Sequence, residues 1–289
     1  MQLKMRLIRN LFNQGWQTQR VEEAVSICEN ADTGFINDFK IIFASRDMKC
    51  LIIAAGQGSR LRPLGEAKPL IRLEKTSLIE RVVDSALEAG VDSFYVVVGY
   101  QGESVRSHLE KLSKSKNVPI TIIQNDEWER ANGISVLKAK PYLNEPFLLL
   151  MGDHIFDPEI ARQLICCFSG EGILLAVDED LENLFVDMDD VTRVFSEGGR
   201  IQKIGKGIEP YNCFDTGIFL CDPVLFSAIE KSSKEYGDDS LSGGVRFLAK
   251  ERRSSIMPIN GMFWCDIDDP ENFNQAEKYL SNLAKDCTK

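Results

Sequence analysis

The chain has 289 residues, 44% of them hydrophobic, enough to bury the core of one large domain or of one domain with an appendage. Its 44 acidic residues outnumber its 34 basic ones, for a formal net charge of -10. That excess argues against a nucleic-acid partner, because phosphate backbones attract clustered Lys and Arg; a nucleotide stays admissible, since a few local cations and backbone amides can hold its phosphates.

Residues 1–47 read as an N-terminal helical extension. Leu3, Leu7, Ile8, Leu11 and Phe12 have helical spacing with Lys4, Arg6 and Arg9 between them, and Val21 to Ile27 suggests a second helix. Such a segment is either packed as an extension or kept for a partner or a membrane surface. The start lacks the long apolar core of a secretory signal. No stretch approaches the ~20 apolar residues of a membrane span. A cytoplasmic protein is therefore expected, with a second domain over 48–289 and a homo-oligomer left open.

From Lys49 onward, short apolar runs alternate with helical periodicity. Cys50 to Ala55 is an apolar strand ending in glycine. Ser77 to Ala89 is a helix with Ser77 as N-cap and Gly90 as its stop. Phe94 to Val98 is a strand, Glu103 to Leu112 an amphipathic helix, Ile120 to Ile123 a strand, Asn132 to Ala139 a short helix and Phe147 to Met151 a strand. Pro158 to Phe168 is a helix with Pro in its first turn, and Ile173 to Val177 a strand. Asn183 to Ile204 reads as short hairpins broken at Asp189-Asp190 and Gly198-Gly199. Phe214 to Leu220 is a strand, followed by helices from Pro223 and around Leu241 to Ala249, strands at Ser255 to Ile259 and Met262 to Ile267, and a closing helix from Pro270 to Ala284. Alternating strands and helices predict an α/β fold, a Rossmann-like, mainly parallel sheet with helices on both faces plus short β hairpins. Of the eight Cys, Cys50, Cys221 and Cys265 lie in apolar runs and read as core thiols; there is no C-x-x-C pair, and two His make a His-based zinc site a poor prospect.

The strongest chemical signal is Leu51-Ile-Ile-Ala-Ala-Gly-Gln-Gly-Ser-Arg-Leu-Arg-Pro, with Ala67-Lys-Pro-Leu shortly after. An apolar strand delivers a glycine loop to the carboxyl end of the sheet, where open α/β sheets bind ligands. Gly56 and Gly58 let backbone amides approach a phosphate chain, and Arg60 and Lys68 bring two cations to it. The loop is neither a dinucleotide fingerprint nor a P-loop. Two further strands end in acid: Gly152-Asp153, and Trp264-Cys-Asp266, followed by Asp268 or Asp269 as a helix cap. Carboxylates at separate strand ends suit Mg²⁺, which takes oxygen ligands. Asn132, Gly133 and Ser135 open a helix whose amides can face a base or a phosphate. Lys206, in Ile201-Gln-Lys-Ile-Gly-Lys, is either a phosphate clamp or a solvated strand end, and Asp215 and Thr216 either bond hydroxyls or turn the chain into a strand.

With Arg60, Pro63, Lys68 and Pro69 included, the loop resembles that of the sugar-phosphate nucleotidyltransferases. Asn132-Gly-Ile-Ser, Met151-Gly-Asp-His-Ile-Phe-Asp-Pro and Tyr211-Asn-Cys-Phe-Asp-Thr-Gly-Ile-Phe-Leu-Cys narrow the likeness to the inositol-1-phosphate cytidylyltransferases, from about Lys49 to the C-terminus. The resemblance implies transfer of CMP from CTP to myo-inositol 1-phosphate, with Mg²⁺ on Asp153 and Asp266 and with Arg60 and Lys68 stabilising charge on the α-phosphate. It implies nucleotide contacts at Ala54, Ala55, Gly56, Gln57, Gly58, Asn125, Asn132, Gly133 and Ser135. It implies acceptor contacts at His154, Lys206, Asp215 and Thr216. Three departures are present: residues 1–47 fall outside the likeness, Ala131 stands where glycine is commoner, and the C-terminal membrane domain of some relatives is missing, so a second reaction on the product would fall to another chain. Phosphocholine, a phosphonate or a sugar 1-phosphate stays open as acceptor, with Trp128, Tyr211 and Trp264 as aromatic candidates for a choline site. So does a non-catalytic regulatory subunit of the same fold, which would be expected to have lost these cations or carboxylates.

Overall fold

A computed structural model describes residues 48–286. The helical extension read over 1–47 lies outside the described residues. Strand β1 (Lys49–Ala54) leads into two 3-10 turns, Ser59–Leu64 and Lys68–Leu70, and a small hairpin of β2 (Arg72–Leu73) and β3 (Thr76–Ser77). Then come α1 (Leu78–Glu88), β4 (Ser93–Val98), α2 (Gly102–Lys116), β5 (Ile120–Gln124), α3 (Asn132–Lys138), β6 (Phe147–Met151), β7 (His154–Phe156), α4 (Pro158–Cys167) and β8 (Ile173–Asp178). The second half comprises β9 (Arg193–Glu197), β10 (Arg200–Gly205), β11 (Cys213–Cys221), α5 (Val224–Tyr236), α6 (Leu241–Lys250), β12 (Ser254–Pro258), β13 (Trp264–Asp266) and α7 (Pro270–Asp286).

The order in the main sheet is β5-β4-β1-β6-β11-β8-β12-β10-β9. β5, β4, β1 and β6 run parallel, as the βα alternation leads one to expect. β11 inserts antiparallel between β6 and β8, and β8 pairs parallel with β12. Because β11 runs against its neighbours, its beginning comes to the same sheet edge as the ends of β1, β6 and β8. The strand-borne chemistry of the first half and the Asp215 region of the second therefore share one edge.

The central strands are buried on both faces, and their alternation sorts them cleanly. Cys50, Ile52, Leu148 and Leu150 join one core, while Leu51, Phe147 and Leu149 join the other. Cys50, Cys221 and Cys265 are buried thiols, and burial pushes all three up, Cys265 to about 12. The Ser77 hydroxyl caps α1, accepting from the Glu80 amide at 3.4 Å, and Asp157 caps α4 just before Pro158. A third, smaller core of Leu61, Leu73, Leu78, Ile155, Cys265 and Ile267 lies apart from the sheet. It glues the segment after the glycine loop to a two-stranded antiparallel ribbon of β7 and β13. Among the described residues no helix is long and apolar enough to cross a membrane.

Two stretches differ from the sequence reading. Gly198-Gly199 does turn the β9–β10 hairpin, with both glycines at positive φ, but Asp180 to Thr192 contains no strand. Side chains there bond their own backbone: Asp180 Oδ1 accepts from the Glu182 amide at 3.0 Å, and Asn183 Oδ1 from the Phe185 amide at 2.9 Å. Asp187 Oδ1 likewise accepts from the Asp189 amide at 3.0 Å. Asx turns of this kind compete with a ladder. The strand read over Met262 to Ile267 shrinks to Trp264–Asp266, because Gly261 turns the chain at φ 77°.

Candidate active site

The glycine loop works through two different glycines. A Cβ on Gly56 would meet nothing within 4 Å, so its backbone is open to an incoming group. Gly58 has φ 58°, and a Cβ there would stand 2.5 Å from the Lys68 Cβ. Its absence lets the stem of Lys68 pass beneath the loop. Gly58→Ala must accommodate both a left-handed alanine, about 1–2 kcal/mol, and a shifted Lys68. We expect kcat/KM to fall by about a hundredfold, the loss expected when a reacting group is misplaced by an ångström; a variant with unchanged steady-state kinetics would contradict this role. Ala54 and Ala55 are buried below the loop, while Gln57 is half-exposed beside it.

Lys68 is 6% exposed and its ammonium sits among three carboxylates. Asp153 Oδ2 is 2.5 Å away, Asp266 Oδ1 is 3.9 Å away, and Asp268 accepts a hydrogen bond from it. Burial alone would discharge Lys68, but the three carboxylates outweigh it and hold its pKa above the usual lysine value. Arg60 is 44% exposed and meets Asp187 at 3.3 Å and Asp268 at 2.8 Å, and it also pairs with Asp190. Asp190 in turn pairs with Lys206, which reaches in from the end of β10.

The β7–β13 ribbon sets the metal-type carboxylates close together, Asp266 being the register partner of His154, the residue after Asp153. His154 Nε2 lies 3.4 Å from Asp266 and 3.7 Å from Asp153, and its Nδ1 donates to the Thr216 carbonyl at 2.8 Å. Burial works against its charge, yet the carboxylates, Asp266 foremost, push its pKa up to about 10. Gly217 makes room for this ring, for a Cβ there would lie 2.4 Å from Nδ1. Asp153 is opposed by burial but held below the ordinary carboxylate value by Lys68, whereas Asp266 is raised, by burial and by the nearby Asp153.

A cleft of about 200 Å³ opens beside these groups, bounded among others by Met151, His154, Lys206, Asp215 and Trp264. The Asp215 carboxyl faces it and is pushed up to about 6 by burial, against the pull of the Gly217 amide and of His154. In the range between the ordinary Asp value of about 3.9 and about 6, the unfolded chain has released this proton and the folded chain keeps it. Its contribution to stability is thus fully present below the lower value and lost as pH rises through the upper one. Asp215→Asn is therefore expected to gain melting temperature relative to the natural chain as pH rises from about 4 to about 7; an equal difference at both pH values would refute the assignment.

Several expected contacts are placed otherwise. Thr216 is fully buried and its hydroxyl donates to the Ala176 carbonyl at 2.8 Å, so it serves the site through its carbonyl only. Asn125 and Ser135 are buried and satisfy each other at 2.9 Å, and the Asn125 carbonyl oxygen also accepts from the Glu127 amide, which keeps both side chains away from the cleft. Gly133 packs on the backbone leading into α6, where a Cβ would come within 2.2 Å of the Asp239 oxygen. Asn132 does border the cleft, and its Oδ1 accepts from the Leu241 amide at 2.9 Å. Of the two acids offered as caps for α7, Asp269 takes the role, accepting from the Glu271 and Asn272 amides, while Asp268 points at Arg60 and Lys68. Asp187 and Asp190 escape a reading of the sequence because they belong to a loop; their only signal is the acid-rich run Asp187-Met-Asp-Asp.

The arrangement sets five carboxylates, Asp153, Asp187, Asp190, Asp266 and Asp268, against Arg60, Lys68, Lys206 and His154. Asp266 Oδ1 is buried with no hydrogen-bond partner among the described residues, a costly state for a carboxylate oxygen unless a cation meets it. Asp153, His154 and Asp266 offer ligand atoms within 4.8 Å of one another. Oxygen-rich donors of this kind fit a hard divalent cation such as Mg²⁺.

Residues 50–242 match the MobA-like NTP transferase domain. The bifunctional IPC transferase and DIPP synthase of Rubrobacter xylanophilus is 35% identical over 237 residues, 81% of this chain and 52% of that protein. The protein of the same description from Archaeoglobus fulgidus is 32% identical over 84% of this chain and 46% of its own length. The chain spans about half the length of the curated relatives it matches. Among solved structures, the inositol-1-phosphate CTP transferase from T. maritima superposes with a TM-score of 0.73 at 28% identity, covering 82% of this chain and 96% of that one. A UDP-glucose pyrophosphorylase complexed with UDP-glucose, at 19% identity and TM-score 0.68, shares the fold. The resemblance carried by the glycine loop is borne out, and with it the Rossmann-like α/β fold.

Proposed function

The chain belongs to the MobA-like NTP transferase domain family, and on that premise we propose that it transfers CMP from CTP to myo-inositol 1-phosphate, giving CDP-inositol and pyrophosphate. The observation that carries the reading is the convergence of Lys68 with Asp153, Asp266 and Asp268 at the mouth of the cleft. A non-catalytic descendant would have no reason to keep all four in register. The name of the T. maritima transferase, covered over 96% of its length, supports inositol 1-phosphate and CTP as the pair.

In the reaction, an oxygen of the acceptor phosphate attacks the α-phosphorus of CTP in line. The bond from that phosphorus to the bridging oxygen breaks, and pyrophosphate carries the electron pair away. The chain's part is positioning and charge neutralisation. Gly56 and Gly58 admit the phosphates to the loop backbone. Lys68 and Arg60 exchange carboxylate partners for phosphate oxygens as charge develops. Lys206 orients the acceptor phosphate, and Asp215 accepts hydroxyl hydrogen bonds in the cleft. Asp153 and Asp266 would hold Mg²⁺, which when bound neutralises phosphate charge that this acid-rich site could not otherwise admit.

A phosphocholine acceptor fits less well. Of the three aromatic candidates for a cage, Trp128 packs edge-on to Tyr100 and Tyr211 is covered by Arg193 at 4.7 Å. Of the three, Trp264 alone borders the cleft, with its Nε1 donating to Asp178 at 2.8 Å. The test is pyrophosphate release with Mg²⁺ over a grid of four NTPs against inositol 1-phosphate, glucose 1-phosphate, phosphocholine and 2-aminoethylphosphonate. One dominant cell at CTP with inositol 1-phosphate is expected; dominance elsewhere overturns the acceptor, and a blank grid overturns the catalytic reading.

A further inference from the structure

The proposed reaction gives Arg60 to the nucleotide half of the site and Lys206 to the acceptor half, and the inference drawn from these two cations rests on that assignment. They come from distant segments, one from the turn after β1 and one from the end of β10. They meet on a single carboxylate, Asp190. Asp187, three residues earlier, pairs among the described residues with Arg60 and not with Lys206, at 3.3 Å. One anion shared by a nucleotide-side and an acceptor-side cation is what an acceptor phosphate must become when it attacks. We propose that Asp190 is a specificity-determining residue, an internal anion that stands where the acceptor phosphate binds and yields only to a group that offers these cations more charge.

The local structure suits a displaceable counterion. The turn that bears Asp190 is held by its own bonds, with the Val191 amide donating to the Asp187 carbonyl at 2.8 Å and the Asp189 amide to Asp187 Oδ1 at 3.0 Å. It is anchored at both ends. Buried Asp178 accepts from Asn183 Nδ2 at 2.7 Å and from the Asp180 amide at 3.0 Å, and the Asp215 amide donates to the Thr192 carbonyl at 2.9 Å. Asp190 is thus carried on a turn whose ends stay fixed whether or not its ion pairs are kept. The ion pairs themselves are exposed, Arg60 by 44% and Lys206 by 62%, and exposed pairs are weak and cheap to exchange. A phosphate dianion brings about twice the charge of the carboxylate and more acceptor oxygens. A neutral alcohol or a carboxylate gains nothing by the exchange, so the carboxylate filters for phosphate monoesters.

The experiment compares the natural full-length chain with Asp190→Asn, which keeps the shape and removes the charge, and with Asp187→Asn as the neighbour. Initial rates give KM for CTP and for inositol 1-phosphate separately, and calorimetry with inorganic phosphate measures binding without turnover. Asp190→Asn is expected to lower the acceptor KM and the phosphate dissociation constant by about 3- to 10-fold, the loss of weak exposed pairs, with a smaller change in KM for CTP. Asp187→Asn should change them less. A raised or unchanged acceptor KM with unchanged phosphate affinity would overturn the inference. If the natural chain shows no turnover, the functional reading fails and the calorimetric comparison alone decides: tighter phosphate binding by Asp190→Asn keeps the internal anion, equal binding removes it.

Discussion

Lys68→Ala is expected to lower turnover by about a hundred- to a thousandfold, the scale set by removing one preorganised charge from a reaction centre, while the chain still folds. Lys68 is nearly inaccessible, at 6% exposure, and lies among Asp153, Asp266 and Asp268. Its raised pKa keeps it charged, so the role proposed for it is electrostatic and not that of a titrating acid. Arginine is not expected to rescue it. The stem threads under Gly58, where a single added carbon already collides, and a planar guanidinium needs more room and a different approach. The check is pyrophosphate release at saturating substrates for Lys68→Ala and Lys68→Arg, with far-UV circular dichroism to confirm folding. Turnover near that of the natural chain in either variant would remove Lys68 from the mechanism.

Asp266→Asn is expected to cost a comparable factor, about a hundred- to a thousandfold in kcat, and to leave a second mark that lost folding could not mimic. Asp266 is the foremost partner that holds His154 up near 10. Removing its charge should bring the His154 titration down toward the ordinary histidine value, while His108, hydrogen-bonded to Ser77 at 3.0 Å, stays put. Both imidazoles can be followed by proton NMR over a pH range that spans both the ordinary histidine value of about 6.5 and the raised value of His154. A His154 titration that does not move would show that the ribbon does not hold Asp266 and His154 together in solution.

The strands and the chemistry at their ends are legible in the sequence for one reason: buried parallel strands are continuous apolar runs, and the residues just past their carboxyl ends lie at the ligand edge. Leu51 to Ala55 and Leu148 to Met151 announce both their burial and the positions of Gly56 and Asp153. Asp266 is legible because Phe263-Trp-Cys stops at a carboxylate. The partnerships are not. Nothing in the spacing says that Asp187 and Asp190, far along the chain from Arg60, close on it, because Asx turns, not periodicity, shape that loop. Nor can sequence show that Thr216 turns inward and Asp215 outward, since that depends on the register of β11 beside β8. The buried pairing of the Asn125 and Ser135 side chains is hidden for a related reason: ten residues apart, nothing in the sequence marks them as partners.

The β7–β13 ribbon also says how this molecule can change over evolutionary time. His154 and Asp266 face each other in a short antiparallel register, Trp264 with Phe156, Cys265 with Ile155 and Asp266 with His154. Inserting or deleting one residue in either strand would turn Ile155 and Cys265 out of their small core and carry a carboxylate to the wrong face. Strands β8, β11 and β12, which lie between the two in the chain, are held in register by the main sheet in the same way, but the loops 179–192 and 206–212 belong to no strand. Insertions, deletions and new turns can accumulate in those loops with the ribbon's carboxylates unmoved. Drift in length should therefore concentrate in the loops that carry Lys206 and Asp190, leaving that side of the cleft free to be reinvented around an unchanging pair of carboxylates.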